Sequence, residues 1–329
     1  MKLSAFTVVD THPDGPEGTP DRYADVLRLA KAVEAGGLST FWVAEHHFQP
    51  GGLCPSPPVL LAACGAQTRR IRLGAMVSVL PFHRPIELAE QYAMVDRLTG
   101  GRLNLGVGSG YIPLEFEGFG VDPATKRDRF DRSLETLLAA FDGGEVRSEE
   151  PGAVPVRLNV LPVQRPHPPL WIAVQRREAL PFVARRGASL GLVPYATVAN
   201  LAELGEEIRE FRSHLPEGRS AEVAVAVHLY AGDRPERARK ALGRYLEARL
   251  ATQSTFYQEK VRRDPHHATA ASIEANGFAL FGTAPEVAQR LSEYAAIGVD
   301  EILGIFDFGG LDAGAATRSV RRLGSEFAH

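Results

Sequence analysis

The tripeptide Glu45-His46-His47 sets a carboxylate beside two imidazoles, directly after the apolar run Thr40-Phe41-Trp42-Val43-Ala44. Successive side chains on a strand face opposite sides. One histidine therefore points inward, and the other packs outward or bonds to a neighbouring loop. Imidazole titrates near pH ~6.5, which suits proton donation or acceptance beside a bound cofactor. A metal site is the competing reading. It is weaker, because adjacent strand histidines diverge and no Asp or His partner recurs at a ligand spacing.

Other candidates also follow apolar runs. Gly106-Val107-Gly108-Ser109-Gly110-Tyr111 resembles a phosphate-binding glycine loop. The dinucleotide fingerprint needs a third glycine where Tyr111 stands, and it opens directly into a helix, whereas Pro113 interrupts here. Glycines at a strand end still let backbone N–H groups approach a phosphate, with the Ser109 hydroxyl as a further donor. Arg127 and Arg129 stand at a helix start, and Gln175-Arg176-Arg177 follows another run. Arginine at a helix start suits a phosphate or carboxylate, although Lys126-Arg127-Asp128-Arg129 also reads as a solvated turn. The serines lack a Gly-x-Ser-x-Gly elbow, so a hydrolase has little support. Cys64 reads as packing and Cys54 as a loop residue of unknown role.

The elements that position these groups alternate along the chain. Eight β-like runs begin at Lys2, Thr40, Ile71, Leu103, Leu170, Ser189, Val223 and Glu301, separated by helical patterns. Pro85 opens one helix, Asp233-Arg234-Pro235-Glu236 opens the seventh, and Thr283-Ala284-Pro285-Glu286 opens the eighth. Strands joined through helices run parallel. Eight such units closing on themselves form an α/β fold, the (β/α)8 TIM barrel; an open doubly wound sheet is the alternative. A single domain over 1–329 is expected, with insertions at the C-terminal mouth at about 143–168 and 251–281. The second insertion holds Phe256, Tyr257, His266 and His267 and suits a mobile lid. A barrel gathers its active site at the C-terminal strand ends, where every candidate above stands.

Composition narrows the classes. The 329 residues carry 37 Lys and Arg against 40 Asp and Glu, a net charge of −3, without the basic surplus of a nucleic-acid binder. Two cysteines cannot build a disulfide framework. No window reaches the roughly 18 apolar residues of a membrane helix, and the first ten residues lack a signal-peptide core. The cytoplasm is the expected location.

Together the segments resemble the bacterial luciferase-like flavin-dependent monooxygenases. The carriers are Phe41 to Phe48, Leu73 to Pro81 with Arg84-Pro85, Glu90-Gln91, Asp96, Gly100-Gly101-Arg102, Gly106 to Gly110, Phe119-Gly120, Arg127, Phe130, Phe281-Gly282-Thr283 and Gly298 to Glu301. The resemblance implies reduced FMN at the barrel mouth, supplied by a separate flavin reductase or a diffusing pool. Oxygen then adds at flavin C4a, and the peroxide oxygenates a small organic substrate. It gives His46 the catalytic role and implies a non-proline cis peptide around Met76-Val77. It places the cofactor among Glu45, Met76, Val77, Ser109, Gly110, Tyr111, Arg127, Gln175 and Arg176. It also implies a homodimer or larger assembly. Ser109 stands where the luciferase α subunit has an arginine, and Gln175-Arg176 replaces Glu-Ser. The positive charge has moved between loops, which leaves FMN against the deazaflavin F420 open. An F420-dependent hydride-transfer enzyme and a flavin-binding protein without turnover are the alternatives. Gly108 replaces luciferase's reactive cysteine, which argues against light emission.

Overall fold

The computed structural model describes residues 1–11, 22–49, 51–250, 258–259, 261–262 and 269–327. Its strands are β1 Lys2–Thr7, β2 Thr40–Val43, β3 Arg72–Val79, β4 Leu103–Gly108, β5 Leu170–Ala173, β6 Ser189–Leu192, β7 Val223–Ala231, β8 Ala279–Gly282 and β9 Glu301–Ile305. The helices that matter for the site are α1 Arg22–Ala35, α2 Pro57–Gln67, α3 Pro85–Leu98, α4 Pro113–Gly118, α5 Lys126–Phe141, α6 Leu180–Arg185, α7 Leu201–Ser213 and α8 Pro235–Leu250. Helices Ala270–Ala275, Ala284–Ala296 and Ala313–Phe327 complete the described set.

Strands β1 to β6 pair in order, β6 pairs with β7, β7 with β9, and β9 with β1, all in parallel. This is the closed (β/α)8 barrel expected from the sequence, built on the eight expected runs. Inside it, the Trp42 indole donates to Glu301 at 2.8 Å and meets Trp171 edge-on at 5.4 Å. Gly74 makes room for that ring, because a Cβ there would lie 2.1 Å from Trp42. Outside, α5 buries Phe130, Leu134, Leu137 and Phe141 on one stripe, as its periodicity predicts. The Thr283 capping box with Glu286 is present. Among the described residues, no helix is long and apolar enough to cross a membrane.

Two placements differ from expectation. Segment 143–168 lies at the N-terminal end of the barrel, not at the mouth. Gln164 bonds to Arg72 at 3.0 Å and to the Leu103 carbonyl at 2.7 Å, residues that open β3 and β4. Asp96 accepts from the Val163 and Gln164 amides at 2.7 and 3.0 Å. The reason is topological: a helix-to-strand connection follows a helix that has already returned to that end.

The second difference follows α8, the helix expected to open at Asp233-Arg234-Pro235-Glu236. It lies across the mouth, where Arg244 donates to the Gly309 carbonyl at 2.8 Å and Arg249 reaches Tyr111. Beyond it comes β8, which the sequence reading left inside an insertion. β8 pairs with the last four residues of β7, past most of the register that β7 shares with β9. It therefore raises the barrel wall on that side. Phe256, Tyr257, His266 and His267, expected in a lid, lie outside the described residues.

Candidate active site

The mouth opens on a cavity of about 390 Å³. Glu45, His46, Met76, Val77, Ser109, Gly110, Tyr111, Arg127, Gln175 and Arg176 all line it. Residues from four strand ends and the start of α5 thus meet in one place.

His46 is buried, and its Nδ1 lies 3.1 Å from Glu115 Oε1. A carboxylate accepts, so Nδ1 carries the proton and Nε2 is the basic nitrogen left to the cavity. Burial lowers the His46 pKa and the Arg249 charge adds to this, while Glu115 and Glu45 oppose it. The net lowering favours the neutral ring, which can take a proton. Phe48 adopts a left-handed φ of 60°, which turns the chain sharply. The same Glu115 oxygen accepts from the His47 amide at 3.0 Å, so one carboxylate fixes both the ring and the turn beneath it.

His47 takes the outward role. Its Nε2 bonds to Glu45 at 3.0 Å, and its ring packs against Phe48, Phe82 and Phe119. Glu45 also accepts from His83 at 2.8 Å and from the Val79 amide at 3.2 Å. Burial raises the Glu45 pKa, but the bonds from the two histidines outweigh it and the net shift is downward. The Glu45 carboxylate is therefore engaged in tying the segment after β2 to the end of β3, and its backbone is what remains for a ligand.

The Met76–Val77 peptide is cis, at the position expected. Three glycines lie against it. A Cβ on Gly106 would fall 2.1 Å from the Ala75 carbonyl oxygen, one on Gly108 2.6 Å from Val77, and one on Gly191 2.7 Å from Met76. Gly106 and Gly108 thus serve close strand approach to β3, a role distinct from the phosphate contact their spacing suggested. Gly110, at φ 77°, is the glycine that turns the loop into the cavity.

The opposite pole is cationic. Lys126 donates to the Gly110 carbonyl at 3.2 Å. Burial and the neighbouring Arg176 charge both lower its pKa. Arg127 pairs with Asp131 at 2.9 Å and stacks 3.6 Å from the Phe182 ring centre. Three cations around one strand-end loop suit a phosphate, and the apolar Met76, Val77, Ile172 and Val174 suit an aromatic ring beside it. The residues present therefore fit a flavin mononucleotide.

Among the polar and charged lining residues, sequence reasoning missed Glu115, Lys126, Tyr195, Tyr245 and Arg249. Arg249 had a readable signal. On α8 the buried stripe runs Ala238, Ala241, Leu242, Tyr245, Leu246, Arg249, so the cation occupies an inward position of the helical repeat. Glu115 was hidden because Pro113 reads as an interruption, although proline at a first turn opens α4 instead. Both cysteines are buried free thiols, pushed up to about 12 by burial, and Cys54 closes a turn by accepting the His46 amide at its carbonyl.

A parallel barrel with a buried histidine and a cationic pole at its C-terminal mouth defines a cofactor-using barrel enzyme. Residues 1–301 match the family model described as luciferase-like monooxygenase, and the chain belongs to that family. It is 26% identical, over 92% of its own length and 88% of the relative's, to the flavin-dependent trigonelline monooxygenase, oxygenase component, of Acinetobacter baylyi. Against two Sinorhizobium fredii proteins, at 37% and 39% identity, the match spans 57% and 49% of their length, about half. The fold is shared with the oxygenating constituent of 3,6-diketocamphane monooxygenase from Pseudomonas putida, solved with FMN, at TM-score 0.82, 17% identity and 99% and 97% coverage of the two chains. It is also shared with an F420-dependent secondary alcohol dehydrogenase, at TM-score 0.73, 14% identity and 98% and 97% coverage.

Proposed function

We propose that this protein is the oxygenase of a two-component flavin system, using reduced FMN and oxygen to oxygenate a small organic metabolite. The observation that carries this reading is one cavity with a proton-handling histidine at one side and three cations at the other. When bound, the reduced flavin supplies the two electrons that let one oxygen atom enter the substrate while the other leaves as water. Lys126, Arg127, Arg176, Ser109 and the Gly110 and Tyr111 backbone hold the phosphate. Met76, Val77 and the Glu45 backbone flank the ring. Glu115 holds His46 so that Nε2 faces the reacting centre and accepts or returns one proton. Tyr111 and Tyr195 close the side away from the phosphate.

A homodimer belongs to the same proposal. Val59 on α2 and Met94 and Leu98 on α3 are exposed apolar side chains, and Met94 and Leu98 share one helix face. A reducing cytoplasm suits both free thiols.

Anaerobic titration with reduced FMN and with reduced F420 tests the cofactor. The expected result is preferential binding of reduced FMN, weakened about 10- to 100-fold in Arg127→Ala by loss of a charged phosphate contact. Tight F420 binding with none for FMN would replace the oxygenase reading by hydride transfer. Flavin binding without oxygen consumption in the presence of any candidate substrate would replace it by a carrier.

A further inference from the structure

Glu115 fixes one nitrogen of His46, and a second support meets the ring through Tyr111. The two rings stand edge-on, with centroids 6.4 Å apart and an angle of 89° between their planes. Tyr111 follows Gly110 on the loop after β4, but its hydroxyl is held from another element. Arg249 Nη2, in the last turn of α8, donates to Tyr111 Oη at 2.8 Å. A guanidinium only donates, so Oη is the acceptor in this bond. The phenol is thereby fixed at both ends, by the β4 loop and by α8. One bond at Nδ1 leaves the imidazole free to swing about that contact; a fixed ring set edge-on beside it, a preferred aromatic geometry, limits the swing.

Arg249 is itself built into the protein. It is buried, and its guanidinium lies 5.3 Å from the Tyr245 ring centre. Burial works against its charge, but Tyr245, Tyr111, Tyr195 and Asp10 support it, and the net shift of its pKa is upward. The cation is therefore a permanent part of the cavity wall, and its charge reaches His46. The groups that face the imidazole are Glu115 from α4, Glu45 from its own segment, Tyr111 from the loop after β4 and Arg249 from α8. Lys126, Arg127 and Arg176 stand at the phosphate pole of the same cavity. Burial is the largest influence and favours the neutral ring; the Glu115 bond opposes it, and the Arg249 charge comes next, on the neutral side. Two carboxylates beside one imidazole would by themselves tend to hold it protonated. A fixed cation counters them.

We infer that Arg249 is a positioning residue for His46: from α8 it holds Tyr111 edge-on to the imidazole and sets a permanent positive charge near it, so that the ring stays oriented and neutral with Nε2 ready to accept a proton. This rests on the proposed reaction for what His46 does there. It makes α8 a working part of the active site, since the base depends on a side chain that this helix delivers. Arg249 acts through Tyr111 and through its field, and touches none of the bonds that change.

The test is the titration of the His46 ring, followed by nuclear magnetic resonance on the full chain without flavin, with the His46→Ala spectrum identifying its signal. Arg249→Met is expected to move the midpoint to higher pH, and Arg249→Lys to hold it near wild type, because lysine keeps the charge. Arg244→Ala removes another contact of α8 with the barrel without touching Tyr111, and should leave the midpoint in place. In turnover, Arg249→Met should lower kcat about 10- to 100-fold, the scale of lost orientation at a reacting group, and move the acid limb of the kcat profile to higher pH as well. Tyr111→Phe and Arg249→Lys should combine without adding in kcat, because both weaken the same contact. An unmoved His46 midpoint in Arg249→Met overturns the inference. So does an equal shift in Arg244→Ala, which would trace the effect to a loosened helix. If Arg249→Met does not fold, as judged by circular dichroism, the cycle of Tyr111→Phe with Arg249→Lys decides, and additive losses count against the inference. The ring titration needs no flavin, which separates the two readings. A shifted midpoint in a protein that turns over with no flavin removes the flavin reading and leaves the positioning role; flavin-dependent turnover with an unmoved midpoint does the reverse.

Discussion

Two histidines in this barrel are both buried and differ in what surrounds their ring nitrogens. His46 ends β2 at the mouth, with Nδ1 on a carboxylate and Nε2 toward the cavity. His228 lies within β7, 0% exposed, and among the described residues neither ring nitrogen has a hydrogen-bond partner. Its ring is packed among Tyr195, Tyr245 and Phe308, with centroids 5.6, 5.0 and 5.0 Å away. Burial lowers the pKa of both, that of His228 to about 3, with the Arg249 charge as the second cause. A depressed pKa therefore does not mark a catalytic residue. What separates the two is a committed partner on one nitrogen and a ligand-sized space on the other. His228 acts as an aromatic spacer behind Tyr195 and Tyr245.

The largest expected effect that would sharpen this contrast is His46→Ala. Turnover should fall by about 10² to 10⁴, the range for loss of a proton-handling group, while the thermal midpoint stays close to wild type. Unchanged steady-state turnover would end the assigned role. Glu115→Gln should come next, at about 10- to 100-fold in kcat, because the amide no longer fixes the charged, oriented partner of Nδ1. The carboxylate also holds the His46 pKa up against burial, so the acid limb of the kcat profile should move to lower pH in Glu115→Gln. A limb that stays in place would mean that Glu115 merely braces the His47 turn.

His228→Phe probes the other half of the comparison, with turnover expected within about twofold of wild type at pH 7.5. Its consequence is in acid. The unfolded ring protonates below about pH 6.5, whereas the folded ring stays neutral until about pH 3, so wild type loses stability as the pH falls through that interval. By linkage, about 2 kcal/mol is lost between pH 7.5 and 5, and His228→Phe should not lose it. Asp307 runs the opposite way: burial raises its carboxyl to about 6, so its protonation favours the fold as the pH drops below that value. The measurement is therefore the difference between the two proteins in urea midpoint at each pH. Identical acid losses would show that His228 is charged in the fold.

The eight barrel strands were legible because each is an apolar run bounded by turn residues, and parallel order follows from the helices between them. The cis position, and the gathering of His46 with Arg127 and Arg176 around one cavity, were legible through segments of known order and spacing. The remainder was hidden for physical reasons. β8 was absorbed into the insertion read over 251–281, because eight strands already close a barrel and a ninth has no place in that count. Segment 143–168 was misplaced because its polarity says only that it is a surface connection, while its end of the barrel depends on where α5 delivers the chain. Arg249 follows a helical stripe, and a lone cation on a helix reads as solvated until the surface it faces is known.

Gly309 is the contact through which α8 sits on the barrel. It has a φ of 55°, and a Cβ there would lie 1.9 Å from the Ala241 carbonyl oxygen. The proposed phosphate pole and cis peptide come from residues 76–176, while α8 brings Tyr245 and Arg249 to the same cavity and packs closely at this glycine. A side chain larger than glycine at 309 would therefore push α8 outward and draw Tyr245 and Arg249 away from the cavity wall.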